Sequence, residues 1–257
     1  MPTAAASLFK SVLPHELLTA CRGCIDVAYS EVEPVRGSTP ARLPQNLPPG
    51  EKFVTTASSF TIGAIVAEPE IRKIETAIFR SEAGAWLRNQ LGEQLVCNRD
   101  HSWVRRQYAP HRYPRLHAPH AWHQDGALGF DFLSYPDGEY PPDAMLRMAT
   151  CWIALDACGV DAPGLELMTQ ELPRLLSPSD LADVRIRDRF PPDHFWRPTL
   201  QPGDALLFCG NILHRTHVTP TMIHDRTSIE LRFFPADNFP ARLKGSRVVR
   251  IDEESQV

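Results

Sequence analysis

The chain has 257 residues, a formal net charge of -4 and 43% hydrophobic residues. This composition is that of a globular protein and excludes a disordered or fibrous chain. The mild negative charge provides no general basic field, so we expect no nucleic-acid partner, and no apolar run approaches the roughly 18 residues that a membrane span requires.

The beginning of the chain and its thiols indicate the compartment. The segment MPTAAASLFKSVLPHELL lacks the apolar core and cleavage site of a signal peptide, so we expect a cytoplasmic protein. Six cysteines are scattered through a chain too long to need disulfides, which favours reduced thiols. Cys21 and Cys24 form a CxxC pair in a predicted helix without a second such pair, so helix packing is favoured over a zinc or redox role.

The first third of the chain is predicted to be mostly helical. Apolar residues at helical spacing predict one amphipathic helix over 14–30. The proline-rich run 39–52 cannot continue a helix and is predicted to be an extended surface segment. One or two further helices are predicted over 68–92, with Gly92 as the C-terminal stop.

From residue 93 onward, short β-type runs alternate with Pro, Gly and Asp. Strands are predicted within 102–108, 146–155, 164–168, 195–200, 204–210 and 228–234. Because no long helices separate them, they indicate an antiparallel sandwich or barrel rather than a parallel βαβ sheet. We therefore predict one α+β domain over 1–257, mostly helical at 1–92 and mainly β at 93–240.

The segment AWHQDG, residues 121–126, places His123 and Asp125 two positions apart. Alternate residues of an extended segment point to the same face, so both side chains can reach one ion. This pattern alone is weak, because a loop histidine followed by an aspartate that caps the DG turn would give the same letters.

A third metal ligand is predicted in the C-terminal part of the chain. The tight turn QPGD leads into the apolar strand ALLFC, and His214 follows the apolar NIL at the next strand. Two histidines and one carboxylate form the facial triad of non-haem Fe(II) oxygenases, which leaves three positions open. Zinc prefers a tetrahedral site but is not excluded by these residues. His217 is a rival to His214.

The segment DRTS, residues 225–228, favours iron. Arg226 and Ser228 lie two apart on a predicted strand, where a guanidinium and a hydroxyl can jointly hold a carboxylate. Such a pair suits 2-oxoglutarate, which chelates the metal at one end and carries a second carboxylate at the other. Arg105 and Gln107 are further candidates for contacting 2-oxoglutarate, with a solvated strand face as the favoured alternative.

Five segments together resemble the phytanoyl-CoA dioxygenase family of Fe(II)/2-oxoglutarate oxygenases, over roughly residues 104–235. They are WHQDG, WIALD, PGDALLF, LHRTHVTP and RTSIELRFF. The resemblance implies a double-stranded β-helix, the jelly-roll or cupin-like fold, with the N-terminal helices packed outside. It further implies the following site residues: His123, Asp125 and His214 as Fe(II) ligands, and Arg226 assisted by Ser228 as the 2-oxoglutarate anchor.

The resemblance also implies a reaction. Such an enzyme consumes O2 and 2-oxoglutarate, releases succinate and CO2, and usually hydroxylates its substrate. Halogenating relatives lack the ligand carboxylate, so Asp125 favours hydroxylation or a related oxidation. The family's Pro-Gly-Ser-His turn after WIALD is replaced here by APGLELMTQELP, so no substrate is carried over from the family.

The remaining expectations concern the substrate and the alternatives. We expect a small specialised metabolite or amino-acid-derived substrate, and a monomer or homodimer. One alternative uses the same cofactors for desaturation, cyclisation, epimerisation or oxidation of an alcohol or amine. The others are a zinc-dependent hydrolase and a non-enzymatic jelly-roll binding protein.

Aromatic and histidine residues near the proximal ligands carry two further interpretations. Four aromatic residues could form a substrate wall or lid, although core packing is the favoured alternative. They are Trp122, Phe130, Phe132 and Tyr135. The Pro- and Gly-rich segment 126–145 suits a mobile active-site loop. A second metal site is suggested by three histidines, although their irregular spacing favours exposed loop positions: His111, His117 and His120.

Overall fold

The computed structural model describes residues 5–32, 59–111 and 119–251. The helices within these ranges are α1 (His15–Val32), α2 (Ile62–Ile65), α3 (Glu68–Arg80), α4 (Glu82–Leu91) and α5 (Asp183–Arg189). The strands are β1 (Ala6–Phe9), β2 (Ser59–Thr61), β3 (Leu95–Asn98), β4 (Trp103–Gln107), β5 (His123–Gln124), β6 (Ala149–Ala154), β7 (Gly164–Met168), β8 (Phe195–Trp196), β9 (Ala205–Cys209), β10 (Leu213–His217), β11 (Arg226–Pro235) and β12 (Val248–Ile251).

The three longest helices, α1, α3 and α4, form where the apolar spacing predicts them, whereas the short helices α2 and α5 were not predicted. In α1, Cys21, Ile25 and Tyr29 lie four residues apart on one face and are fully buried. The Cys24 thiol contacts the Cys21 carbonyl within the same helix, which agrees with helix packing of the CxxC pair. Gly92 ends α4 with a φ of 102°, a backbone conformation that favours glycine, so the predicted helix stop is confirmed.

Two antiparallel sheets build the β core. In the larger sheet the strand order is β1-β9-β6-β11-β3-β12, with β4 beside β11 and β2 beside β4. The smaller sheet has the order β5-β10-β7-β8. The inner faces of the two sheets pack together, with Trp152 and Phe208 from the larger sheet joining Leu165 and Leu167 from the smaller one. This arrangement is the predicted antiparallel sandwich.

The other face of the larger sheet is covered by helices. Ile153, Ile229 and Leu231 belong to one apolar cluster with the buried faces of α1, α3 and α4. Because side chains alternate along a strand, the residues between them on β11 face the smaller sheet. The helical cover on one face therefore leaves the opposite face of the larger sheet available to form a site.

Three strands lie outside the predicted β region of 93–240. β1 and β2 precede it and pair with β9 and β4, and β12 follows it and pairs with β3. Each has only three or four residues, too few for a period of two to stand out from the surrounding sequence. The predicted surface segment 39–52 lies outside the described residues. None of the helices in the described part of the chain is long and apolar enough to cross a membrane.

Candidate metal centre

Three potential metal ligands come together between the sheets. β5 and β10 pair with His123 directly opposite His214, and Asp125 begins a short 3-10 turn immediately after β5. The Nε2 atoms of His123 and His214 lie 3.7 and 3.8 Å from the carboxylate oxygens of Asp125. All three ligand atoms lie within 4.8 Å of one another. The structure thus brings together the two halves of the predicted triad.

Both imidazoles are oriented by their own strands. The Nδ1 atom of His123 lies 2.7 Å from the carbonyl of Ala121, and Nδ1 of His214 lies 3.0 Å from the carbonyl of Ile212. A carbonyl accepts, so Nδ1 carries the proton and Nε2 presents a lone pair to the site. Burial and the neighbouring His123 lower the pKa of His214 to about 3, which keeps this ligand neutral.

The carboxylate of Asp125 is held from the larger sheet. Thr150 on β6 donates its hydroxyl to one oxygen, and Arg232 on β11 donates to the other at 3.2 Å. Burial by itself raises the pKa of Asp125, but the positive charge of Arg232 and the nearby histidines hold it well below its ordinary value. Asp125 is therefore a charged carboxylate aimed at the two histidines, which disagrees with the alternative that it caps the DG turn.

A cavity opens at the three candidate ligands. Its walls combine apolar and charged side chains: Arg105, His120, Thr150, Trp152, Leu165, Phe208, Thr216 and Glu230 join the triad. On the larger sheet, Phe208 on β9 and Trp152 on β6 form an apolar part of the wall. Glu230 on β11 and Arg105 on β4 form a charged part. The triad therefore faces a space with two chemically different sides.

Arg226 and Ser228 lie on the same face of β11 as the cavity residue Glu230. Arg226 is buried and donates to the Ser228 hydroxyl at 2.7 Å and to the carbonyl of Pro163 at 3.3 Å. No carboxylate of the described residues lies within 4.0 Å of its guanidinium. A buried positive charge without such a partner is costly unless an anion binds there.

An indole connects the Arg226 position to the cavity. The Arg226 guanidinium lies 4.8 Å from the ring centre of Trp152, and the same ring lines the cavity. The Trp152 indole N–H is buried and has no hydrogen-bond partner in the described part of the chain. Arg226 and Ser228 themselves do not line the cavity, so the predicted carboxylate clamp lies behind Trp152 rather than beside the triad.

The other predicted residues are placed differently. Arg105 lines the cavity, whereas Gln107 lies two residues farther along β4, opposite Arg226 in the strand pairing. His217 lies on the opposite face of β10 from His214, near Glu166, and does not line the cavity. The rival metal ligand is therefore turned away from Asp125.

The aromatic residues after the proximal ligands do not form a cavity wall. Phe130 and Tyr135 stack at 5.4 Å, and Phe132 and Tyr140 pack edge-on against Phe130, so this group contacts itself. Trp122 packs against Phe195 on the outer side of the smaller sheet. Packing, the favoured alternative for these residues, describes the arrangement better than a substrate wall.

The three histidines of the predicted loop have different positions. His111 and His120 are exposed, and His117 lies outside the described residues. His120 nevertheless lines the open side of the cavity, where its Nε2 lies 2.6 Å from Nη1 of Arg105. Partial burial and the positive charge of Arg105 lower the pKa of His120, so its ring is a neutral acceptor for that guanidinium.

Sequence reasoning missed several residues of the site. Thr216 has the same strand parity as His214, and Glu230 and Arg232 have the same parity as Arg226, so alternation along β10 and β11 could have found them. Thr150 had no comparable signal because its contact with Asp125 joins positions 25 residues apart across the two sheets.

A charged network lies on the outer side of the smaller sheet, behind His123 and His214. The carboxylate of Glu166 is fully buried and accepts hydrogen bonds of 2.7–2.8 Å from Arg187, Arg197 and Arg215. Arg215 follows His214 in the sequence. Glu166 thus ties α5 and β8 to β10, the strand that carries His214.

We expect a Glu166→Ala substitution to destabilise the fold by about 3 kcal/mol, because it leaves three guanidiniums without their shared carboxylate. Urea denaturation measures this change. Arg197→Gln is the matched control: the Arg197 side chain is 51% exposed, so its loss should cost less than about 1 kcal/mol. Equal effects of the two substitutions would contradict the central role of Glu166.

The same carboxylate predicts an acid dependence of stability. Burial alone raises the pKa of Glu166, but hydrogen bonds from the arginines lower it from 4.5 to about 2. Its stabilising contribution is therefore complete above about pH 4.5 and is lost as the pH falls toward 2. A Glu166→Gln variant should show a flatter decline of stability over this interval.

Comparison with solved structures identifies proteins of the same fold. The epimerase SnoN, in complex with Fe3+, alpha-ketoglutarate and nogalamycin RO, matches at a TM-score of 0.58 and 14% identity, over 90% of this chain and 79% of SnoN. EctD from S. alaskensis with bound Fe matches at 0.59 and 15% identity, over 91% and 74%. AviO1 from Streptomyces viridochromogenes matches at 0.58 and 14% identity, over 92% of both chains.

These likenesses confirm the predicted jelly-roll fold with its external helices. No protein-family model and no curated protein matches the sequence. SnoN is described as a non-haem alpha-ketoglutarate-dependent epimerase, and EctD has also been solved with 2-oxoglutarate and 5-hydroxyectoine. The neighbours thus include non-haem proteins that bind iron and 2-oxoglutarate in this fold.

Proposed function

We propose that this chain is an Fe(II)- and 2-oxoglutarate-dependent dioxygenase built as a single domain, related to the phytanoyl-CoA dioxygenase family. The observation that carries the proposal is the convergence of His123, Asp125 and His214 at a cavity. Two imidazoles and one carboxylate on one side of an ion would leave the remaining positions open for a co-substrate and O2.

The binding of 2-oxoglutarate is supported by Arg226 and its neighbours. A buried guanidinium with no carboxylate partner among the described residues, backed by the Ser228 hydroxyl, fits the distal carboxylate of the keto acid. The unpartnered indole N–H of Trp152 offers a further donor on the way from the cavity. Leu165 and Thr216 line the cavity between the candidate metal ligands and the end of the sheet where Arg226 lies.

The chemistry divides between cofactor and protein. Bound at the triad, Fe(II) with 2-oxoglutarate and O2 would supply the oxidising power for the substrate C–H bond, with succinate and CO2 as the coproducts. The protein holds the reactants together and excludes water, using Phe208 and Leu165 in the cavity wall. Thr150 and Arg232 keep the Asp125 carboxylate charged and fixed in direction.

Hydroxylation of a small organic molecule is the reaction we propose. The solved structures of SnoN and EctD contain small molecules, which supports a small substrate. The presence of Asp125 favours hydroxylation over halogenation. A different outcome on the same cofactors is the second candidate, because SnoN is an epimerase and another protein of this fold, SnoK, is a carbocyclase.

Metal and cofactor binding tests the proposal without knowledge of the substrate. Protein purified without oxygen and supplied with Fe(II) should develop a weak visible charge-transfer band when 2-oxoglutarate is added. Substituting Zn(II), or omitting the keto acid, provides the control that shows no band. A protein that binds Zn(II), gives no band with Fe(II) and 2-oxoglutarate, and hydrolyses substrates without oxygen would instead be a zinc hydrolase.

A further inference from the structure

Arg105 lines the cavity, and its guanidinium contacts three described residues there. Its Nε donates to Glu230 at 2.9 Å, and its Nη1 contacts Ser59 and His120 at 3.3 and 2.6 Å. Its Nη2 has no hydrogen-bond partner among the residues that the structure describes. Glu230 binds the Nε edge of the Arg105 guanidinium. The other edge, formed by Nη1 and Nη2, can therefore bind a planar anion.

His120 occupies part of that edge. Its ring is exposed, and it accepts from Nη1 of Arg105. An exposed neutral imidazole is a weaker partner for a guanidinium than a carboxylate, which binds in a bidentate manner. A ligand carboxylate that entered from this side would therefore replace the imidazole at Nη1 and would also bind Nη2.

The charges of the cavity also favour an anionic group. The carboxylates of Asp125 and Glu230 are balanced by Arg105 and Arg232, with which they form ion pairs. In the proposed complex the charges of Fe(II) and 2-oxoglutarate cancel each other. Arg226 then leaves one excess positive charge, so a substrate with one negative charge neutralises the site.

The two sides of the cavity define the rest of the ligand. Arg105 and Glu230 lie at the β4 and β11 side, whereas Phe208 and Trp152 lie at the β9 and β6 side. A bound carboxylate at Arg105 would direct the remainder of the molecule toward the apolar wall and the triad. The arrangement therefore fits a small acid with an apolar body.

We propose that the substrate is a small carboxylic acid whose carboxylate binds Arg105, oriented by Glu230, in the place that His120 occupies. This inference rests on the proposed dioxygenase function and names its substrate class. It assigns Arg105 to the substrate rather than to 2-oxoglutarate, whose distal carboxylate we assign to Arg226.

A matched panel tests the substrate class. Small carboxylic acids with apolar bodies are compared with their primary amides, measuring succinate release and, without oxygen, calorimetric binding to protein loaded with Fe(II) and 2-oxoglutarate. We expect acids to bind and to stimulate succinate release, and their amides to do so at least roughly tenfold less well, because hydrogen bonds to charged groups are the stronger ones. Amides that match the acids, or a panel in which no acid stimulates release, would overturn the proposal.

Arg105→Gln tests the residue. We expect it to weaken binding of the best acid, raising both its KM and its calorimetric Kd by roughly 10- to 100-fold, while the KM for the keto acid stays unchanged. Arg250→Gln, on the distant strand β12, is the matched control. If the substitution instead raised the KM for the keto acid, Arg105 would bind that co-substrate, and the inference would be wrong.

The charge-transfer band separates this inference from the proposed function. If Fe(II) and 2-oxoglutarate give the band but acids show no preference, the substrate class is wrong and the dioxygenase function stands. If the band itself does not form in the unmodified protein, the proposed function fails.

Discussion

An Asp125→Ala variant is expected to lose succinate formation by more than about 100-fold. Removing an outer partner of a metal ligand costs roughly 10- to 100-fold in metal affinity or activity, and removing the ligand itself should cost more. Asp125 supplies the single carboxylate among the three ligands, and its oxygens lie 3.7 and 3.8 Å from the histidine nitrogens. Fe(II) binding and succinate release measured together report the loss.

Two further variants make this result specific. Asp131→Ala removes an exposed carboxylate six residues later and should leave succinate release unchanged. Thr150→Val removes only the hydroxyl that orients Asp125 and should give an intermediate loss. Circular dichroism shows whether each variant is folded. Wild-type succinate release from folded Asp125→Ala would show that these three side chains do not hold the metal.

An Arg226→Met variant is expected to bind the keto acid much more weakly, with its KM for that co-substrate raised by roughly 100-fold or more. Methionine removes the charge and both terminal donors but keeps an unbranched side chain that can pack against Trp152. Each lost hydrogen bond to a carboxylate is worth about 1.5–3 kcal/mol, and the guanidinium can offer two. Arg226→Lys should fall between the wild type and Arg226→Met, because an ammonium cannot bind both carboxylate oxygens in the same plane.

A merely structural effect of Arg226 is excluded by changing the keto acid. The wild type should prefer 2-oxoglutarate strongly over 2-oxo acids that lack the distal carboxylate. Arg226→Met should lose this preference while retaining the Fe(II) binding of the triad. If the variant kept the preference, the distal carboxylate would have another partner, and Ser228 and Trp152 would lose their proposed roles as well.

Local periodicity predicts the longer helices and most of the strands, whereas the full candidate triad also depends on the family resemblance. His123 and Asp125 share a face because they are two apart, and the apolar segment before His214 marked the next strand. The two histidines then meet because β5 and β10 pair in register, a pairing that the family resemblance implies and the residue spacing does not. The helix stop at Gly92 follows from the conformational freedom of glycine alone.

Contacts across the sandwich could not be predicted in the same way. Arg105 and His120 meet at the open side of the cavity, and Glu230 reaches Arg105 from a strand 125 residues later. Such contacts depend on the strand order and on the pairing register. The alternation of apolar and polar residues along one strand reveals neither. The short strands β1, β2 and β12 were missed for a related reason, because their positions are fixed by partners distant in the chain.

The charged side chains of β11 have a second consequence, for the alignment of the strand. On one face it carries Arg226, Glu230 and Arg232, and on the other it carries Ile229 and Leu231 in the core beneath the helices. A slip of one residue against its neighbours would exchange the two faces, forcing three ionised groups into hydrocarbon and exposing aliphatic side chains to the polar interior. The charged side chains that support the candidate site thereby also penalise misaligned folding of the central strand.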